Sequence, residues 1–333
     1  YEPGEVVQTM TLAASLSDGM IKSLDEKLPT NHGRLTDTCM FRDNYIIQYE
    51  RKNQTDSISV IDGFAQSSRF VASSLALNYA RSQDYFYKWY ETFCIDDYNF
   101  DLDEMRELDL VDPIGRDINT LTSAGAGYGF TVCPMQILAF YNTIANNGKM
   151  MYPMLIKKMT SDKYGSQYMM PREINEMVFR KEIADSLKKA LTACTEYGTS
   201  KLLNGLPQNI IGKTGTSRQI IDPRTRGGSL DPYQDDEGRR QYSSTFAGFF
   251  PADNPKYTAI VVTYTRKLDV GVNVYGGEAP AATFKDIVDE IWVYETDWSG
   301  EIEADGDMPE MKAKNIFTDN SEGSPVPDVS GMG

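Results

Sequence analysis

The stretch Ile211-Gly212-Lys213-Thr214-Gly215-Thr216-Ser217-Arg218-Gln219, with the two runs that follow it, constrains the fold most. Tyr242–Phe250 and Tyr257–Thr265 alternate in polarity and are rich in Phe, Val, Ile and Tyr, the pattern of strands with one face buried. The turn Pro251-Ala252-Asp253-Asn254-Pro255 joins them. Leu206–Lys213 reads as a further strand ending in Lys-Thr-Gly, so three sequential strands predict an antiparallel sheet. Pro280–Thr296 reads as a closing amphipathic helix with Ile287, Val288, Ile291 and Trp292 on its apolar face, its proline suited to the first turn. The expected class is α/β (α+β).

Upstream, helical spacing dominates. Met10, Leu12, Ala13, Leu16, Met20, Ile21 and Leu24 recur at intervals of three and four, predicting a helix over 8–25 that the chain enters sharply after Pro3-Gly4. Residues 26–60 are polar and read as irregular and short-stranded, as in an inserted lobe. A mostly helical pattern follows from Ser57 to about Phe93, with the aromatic run Tyr85, Phe86, Tyr87, Trp89, Tyr90 read as packing. The glycine-rich turn Ala124–Phe130 leads into a helix whose apolar face holds Met135, Leu138, Ala139, Tyr141, Ile144 and Ala145, ended by Asn147-Gly148. That turn lacks a Gly-Lys-Ser/Thr ending and a preceding strand, which argues against a phosphate loop.

At 333 residues and 41% apolar content the chain can bury a large core. A net charge of −15 argues against nucleic-acid partners, which need clustered Lys and Arg. Cys39, Cys94, Cys133 and Cys194 lack CxxC spacing, and the single histidine, His32, gives a triad or metal site almost no material. No metal and no cofactor is implied. No apolar run is long enough to span a bilayer.

Several separated blocks carry a resemblance: Tyr1-Glu2-Pro3-Gly4, Ala65-Gln66-Ser67-Ser68, Gly127-Tyr128-Gly129 with Pro134-Met135-Gln136, Ala145-Asn146-Asn147-Gly148-Lys149, Lys213-Thr214-Gly215-Thr216 and Phe246-Ala247-Gly248-Phe249-Phe250-Pro251. In this order they resemble the transpeptidase domain of a class B penicillin-binding protein of the septal cell-division type. The resemblance implies a penicillin-binding-protein/serine β-lactamase-like fold, in which an antiparallel sheet flanked by helices joins an all-helical lobe carrying the Ser67 loop. It implies a domain over 1–297, an acidic linker over 298–324 and, from Pro325-Val326-Pro327-Asp328, the truncated start of a PASTA-like module over 325–333. It also implies a membrane anchor upstream, placing the domain on the extracytoplasmic (periplasmic) face of the inner membrane in the cell envelope.

The family's chemistry joins a Ser nucleophile at a helix N-terminus to a Lys base three residues on, a Ser-x-Asn loop, and a Lys-Thr-Gly strand whose following N–H completes an oxyanion hole. Transferred to this chain, that set is degenerate. Glu5 stands at the nucleophile position, Gln8 at the base position, and Arg69 replaces Asn in Ser67-Ser68-Arg69, whereas Ser67, Lys213, Thr214 and Gly215 are retained. Ser67, Lys213, Thr214, Thr216 and Arg218 are the expected substrate-binding residues. A carboxylate attacking a carbonyl yields only an anhydride, and Gln8 accepts no proton near neutral pH. The leading expectation is therefore an inactive transpeptidase-like domain, a structural or regulatory pseudoenzyme whose partners are division or cell-wall proteins. Two alternatives stand beside it: an active D,D-transpeptidase using a nucleophile such as Ser67, and a noncovalent binder of peptidoglycan stem peptides or β-lactams. The changed positions argue against covalent penicillin binding. They also suggest an ion-pair cluster of Glu5 with Lys213 and Arg69 filling the cleft, against which stands simple drift of these positions.

Overall fold

A computed structural model describes residues 1–36, 43–93, 117–221, 224, 227–268 and 274–295. The chain divides after Trp298, and the second unit lies outside the described residues, as do the expected linker and PASTA-like segments. Cys39 and Cys94 lie outside them too.

The sheet is three-stranded and antiparallel, β7 (Ile211–Arg218), β8 (Arg240–Phe250) and β9 (Tyr257–Leu268), in that order. Lys213 pairs with Ala247, Thr214 with Phe246 and Gly215 with Thr245. The central strand divides the core by its period of two. Ala247 and Phe249 pack into the large cluster built on helices α1 (Gln8–Ser17), α7 (Pro134–Ala145) and α8 (Lys181–Glu196). Phe246 and Phe250 join Phe284 and Val288 of α9 (Ala279–Tyr294) in a second cluster. The sheet is thus sandwiched between α9 and the other helices. One sequence expectation shifts: β7 starts at Ile211, not Leu206, and Lys-Thr-Gly sits within the strand, because pairing with β8 continues through Arg218.

Helix α1 is buried on every side from Gln8 to Leu16, which explains its weak amphipathicity: it is the central rod of the domain. Its interior threonines are satisfied locally, Thr9 Oγ1 lying 2.9 Å from Tyr141 Oη and Thr11 Oγ1 donating to the Gly125 carbonyl at 2.7 Å. The helix stops at Ser17 rather than continuing to residue 25. Asp18 there accepts from Tyr79 Oη (2.6 Å), Trp89 Nε1 (2.7 Å) and Tyr85 Oη (3.1 Å), and Gly19 turns left-handed.

The second lobe holds α3 (Val60–Ala65), α4 (Arg69–Leu77), α5 (Gln83–Phe93) and α6 (Ile118–Ala126). The aromatic run on α5 packs as expected, Phe86 and Tyr90 at 4.9 Å between ring centroids. Residues 26–60 are less irregular than the sequence implied. β1 (Lys27–Pro29) pairs with β2 (Ser57–Ser59), and α2 (Asn44–Asn53) lies between them, capped by Asp43, which accepts from the Tyr45 N–H at 2.9 Å. Its polar composition hid the helix; Asp43 as N-cap was the available signal. Two further two-stranded sheets pair β3 (Met150–Met151) with β6 (Glu173–Asn175) and β4 (Lys158–Ser161) with β5 (Gly165–Tyr168). No helix among the described residues is long and apolar enough to cross a membrane.

Candidate functional site

Of the retained and altered positions, Glu5, Ser67, Arg69, Thr214 and Thr216 line one groove of about 1950 Å³ with Tyr128, and Arg218 is exposed at its edge, whereas Gln8, Lys213 and Gly215 are buried outside its lining. Three chain segments build it. A single 3₁₀ turn, Gly4–Val7, leads into α1 and carries Glu5; the α3–α4 connection carries Ser67 and α4 opens on Arg69; β7 carries Lys213 to Thr216. The packing is close enough to need glycine. A Cβ on Gly215 would lie 2.7 Å from the Pro3 carbonyl oxygen, so β7 presses directly on the turn that holds Glu5.

Glu5 is fully engaged. Its Oε2 accepts from the Thr216 backbone N–H at 2.8 Å and its Oε1 from Tyr128 Oη at 2.5 Å, with Arg69 Nε 3.7 Å away. The Arg69 guanidinium lies 3.8 Å over the Tyr128 ring, a stacked cation–π contact. Burial first, and then the Glu5 charge, push the Tyr128 phenol well above its usual range, so it remains a donor. The expected ion cluster is therefore half right. Arg69 does face Glu5, but Lys213 does not pair with it: its ammonium contacts Ser67 Oγ and, at 3.2 Å, the Thr214 carbonyl. The partner that takes its place, Tyr128, sits in the recognised Gly127-Tyr128-Gly129 block, yet only the fold shows its hydroxyl turned onto Glu5. Glu5→Ala removes the common acceptor of these groups and is expected to cost about 1–3 kcal/mol in chemical denaturation, the penalty for donors left unpaired in a largely buried place.

Lys213 is wholly buried, which lowers its pKa from 10.5, although the Cys194 thiol and Glu5 oppose the shift. Ser67 is half-buried with its Oγ on Lys213, 3.3 Å from Thr199 Oγ1 and 3.5 Å from Thr214 Oγ1. Thr199, on the link from α8 to β7, is a groove residue that no sequence motif marked.

Gln8, at the base position, is 1% exposed, and neither its Oε1 nor its Nε2 has a partner among the described residues. A buried amide left unpaired costs on the order of 1–3 kcal/mol. Gln8→Leu, close in volume and without polar atoms, is thus expected to raise the denaturation midpoint. A lowered midpoint would mean that the amide is satisfied after all.

The family model of the penicillin binding protein transpeptidase domain matches residues 1–289. Penicillin-binding protein PbpB of Mycobacterium tuberculosis is 30% identical over 156 residues, covering 44% of this chain and 21% of that protein. Penicillin-binding protein H of Bacillus subtilis is 25% identical over 138 residues, covering 40% and 18%. The chain thus matches only about a fifth of the length of these curated relatives. Among solved structures, penicillin binding protein 3 of Mycobacterium tuberculosis superposes with a TM-score of 0.69 at 22% identity, covering 88% of this chain and 63% of that one. Penicillin-binding protein 2B of Streptococcus pneumoniae gives 0.69 at 17% identity, covering 89% and 48%. With a family model spanning most of its length, the chain belongs to the penicillin-binding-protein transpeptidase domains.

Proposed function

We propose that this domain serves peptidoglycan synthesis at the septum as a structural or regulatory member of the division machinery, without catalysing transpeptidation. One observation carries the reading: the Glu5 carboxylate accepts the Thr216 N–H, the donor that the family's chemistry assigns to the oxyanion. A carboxylate there excludes the developing negative charge of an acyl-transfer transition state. The same residue removes the serine nucleophile, and Gln8 removes the base. In another serine hydrolase, loss of the nucleophile alone costs on the order of a million-fold in turnover.

The family's setting supports a place on the extracytoplasmic side of the inner membrane, with division or cell-wall proteins as partners. A noncovalent role has one observation in its favour. The groove stays open and has Arg69 and Arg218 along it, so a stem-peptide carboxylate has cations to meet. The test is intact-protein mass after incubation with a reactive penicillin. No adduct is expected, and a penicilloyl adduct on the unaltered protein would overturn the reading. Saturable binding without an adduct would support the noncovalent role.

A further inference from the structure

We propose that Ser67 and Lys213 form a nucleophile and base of their own, able to take an acyl group from small activated esters, separate from the degenerate position at Glu5.

Four observations meet at this pair. First, Ser67 adopts φ +57, a left-handed conformation that serine rarely takes, and such strain concentrates where a side chain must be presented. The turn is fixed by Ser67 N–H donating to the Phe64 carbonyl at 3.0 Å and Ser68 N–H to the Gly63 carbonyl at 2.8 Å. Second, Lys213 contacts Ser67 Oγ from behind, at the closed side of the groove, while Ser67 itself lines the opening. Third, Lys213 has no ion-pair partner among the described residues; its other contacts are the Thr214 carbonyl and the Phe64 ring, 5.5 Å from Nζ. An ammonium buried without a carboxylate favours its neutral amine, which has a lone pair to accept a proton. Fourth, Thr199 Oγ1 and Thr214 Oγ1 lie 2.7 Å apart beside Ser67. Only one proton can sit between two hydroxyls, so the other hydroxyl proton is available to a developing oxyanion.

The step balances without any outside reagent except water. Ser67 Oγ attacks the ester carbonyl as its proton passes to the neutral Nζ of Lys213, the Oγ–carbon bond forms, and the bond to the alcohol oxygen breaks. The departing alkoxide takes the proton back from Lys213. Water then attacks the acyl-Ser67 ester with Lys213 again accepting its proton, releasing the carboxylic acid and restoring the serine. Esters with good leaving groups suit this pair, because the Thr216 N–H is held by Glu5 and gives a poorly activated amide no help.

The experiment uses p-nitrophenyl acetate, intact-mass measurement and peptide mapping on the unaltered chain, Ser67→Ala and Lys213→Met. The unaltered chain should carry acetyl on the Ser67 peptide, Ser67→Ala none there, and Lys213→Met should acetylate Ser67 at least about 100-fold more slowly, the lower end of what a positioned base contributes. Should Lys213→Met fail to fold, the pH profile of the unaltered chain decides. The rate at Ser67 should rise with pH and level off below 10.5, the ordinary lysine value, with Cys194 and Glu5 as the other titratable groups acting on Nζ. The Cys194 thiol, pushed up to about 12 by burial, stays neutral across that range. Absence of acetyl at Ser67, an undiminished rate in folded Lys213→Met, or a rate that climbs with hydroxide without levelling would each overturn the proposal. Acetylation at Ser67 with no penicilloyl adduct would uphold both this proposal and the inactive-transpeptidase reading.

Discussion

Combining Glu5→Ser, Gln8→Lys and Arg69→Asn in one chain is expected to turn a protein that a reactive penicillin leaves unmodified into one that carries a single penicilloyl group on residue 5. The groove around these positions is assembled: β7 presses on the turn that carries residue 5, Thr216 reaches that residue directly, and Ser67 contacts Lys213. Serine at residue 5 would free the Thr216 N–H that the carboxylate now holds, and lysine at residue 8 would lie three residues on, facing the same side of the helix. The single changes should each give little, because a nucleophile without a base, or a base without a nucleophile, loses most of the effect of the set. Intact mass and a mapped acyl site are the measurements. An unlabelled triple variant would show that this groove no longer admits a penicillin, and the replacements at residues 5 and 8 would then be the lesser part of the loss.

Gly127→Ala is expected to be the most damaging glycine-to-alanine change among the described residues. Gly127 is the left-handed C-cap that follows α6, at φ +99, and its carbonyl accepts the Gly4 N–H at 3.0 Å. A Cβ at residue 127 would fall 1.9 Å from the Gly4 carbonyl oxygen, where both atoms belong to backbone and neither can swing away. Left-handed strain alone costs roughly 1–2 kcal/mol, and the overlap adds to it, so a loss above about 4 kcal/mol is expected. Gly129→Ala is the control. It shares the positive φ (+85) but its Cβ would meet nothing within 4 Å, so only the backbone penalty of about 1–2 kcal/mol should appear. Denaturant midpoints measured on both variants separate the two contributions; equal losses would show that the contact between residues 4 and 127 yields freely.

The sheet was the most legible part of the fold, since β8 and β9 concentrate their Phe, Val and Ile in the halves beside the short turn that joins them, and that turn leaves little choice of register. α2 was hidden because Asn44-Tyr45-Ile46-Ile47-Gln48 and the charged residues after it form a surface helix held by its cap rather than by a long apolar stripe. The end of α1 was misplaced for the opposite reason. Apolar spacing runs on past Ser17, yet three donors converging on Asp18 from α5 and the Asn78-Tyr79 turn stop the helix, and such convergence is invisible in a linear chain. At the site, the family blocks named Glu5, Gln8, Ser67, Arg69 and Lys213 as neighbours. The pairing among them was not legible. Attraction of Glu5 to any nearby cation is a matter of charge, but whether Lys213 reaches Glu5 or Ser67 depends on which side of β7 its side chain leaves and how deeply it is buried.

The hydrogen bond from Thr216 to Glu5 joins residues 211 positions apart, and the Tyr128 hydroxyl reaches the same carboxylate across 123. Contacts of such separation wait on the closure of long loops and are late events on a folding path. Until β7 is in place, the Glu5 carboxylate lacks its backbone donor. The groove is therefore a timed object. Only the finished sheet supplies the backbone donor that closes the carboxylate in.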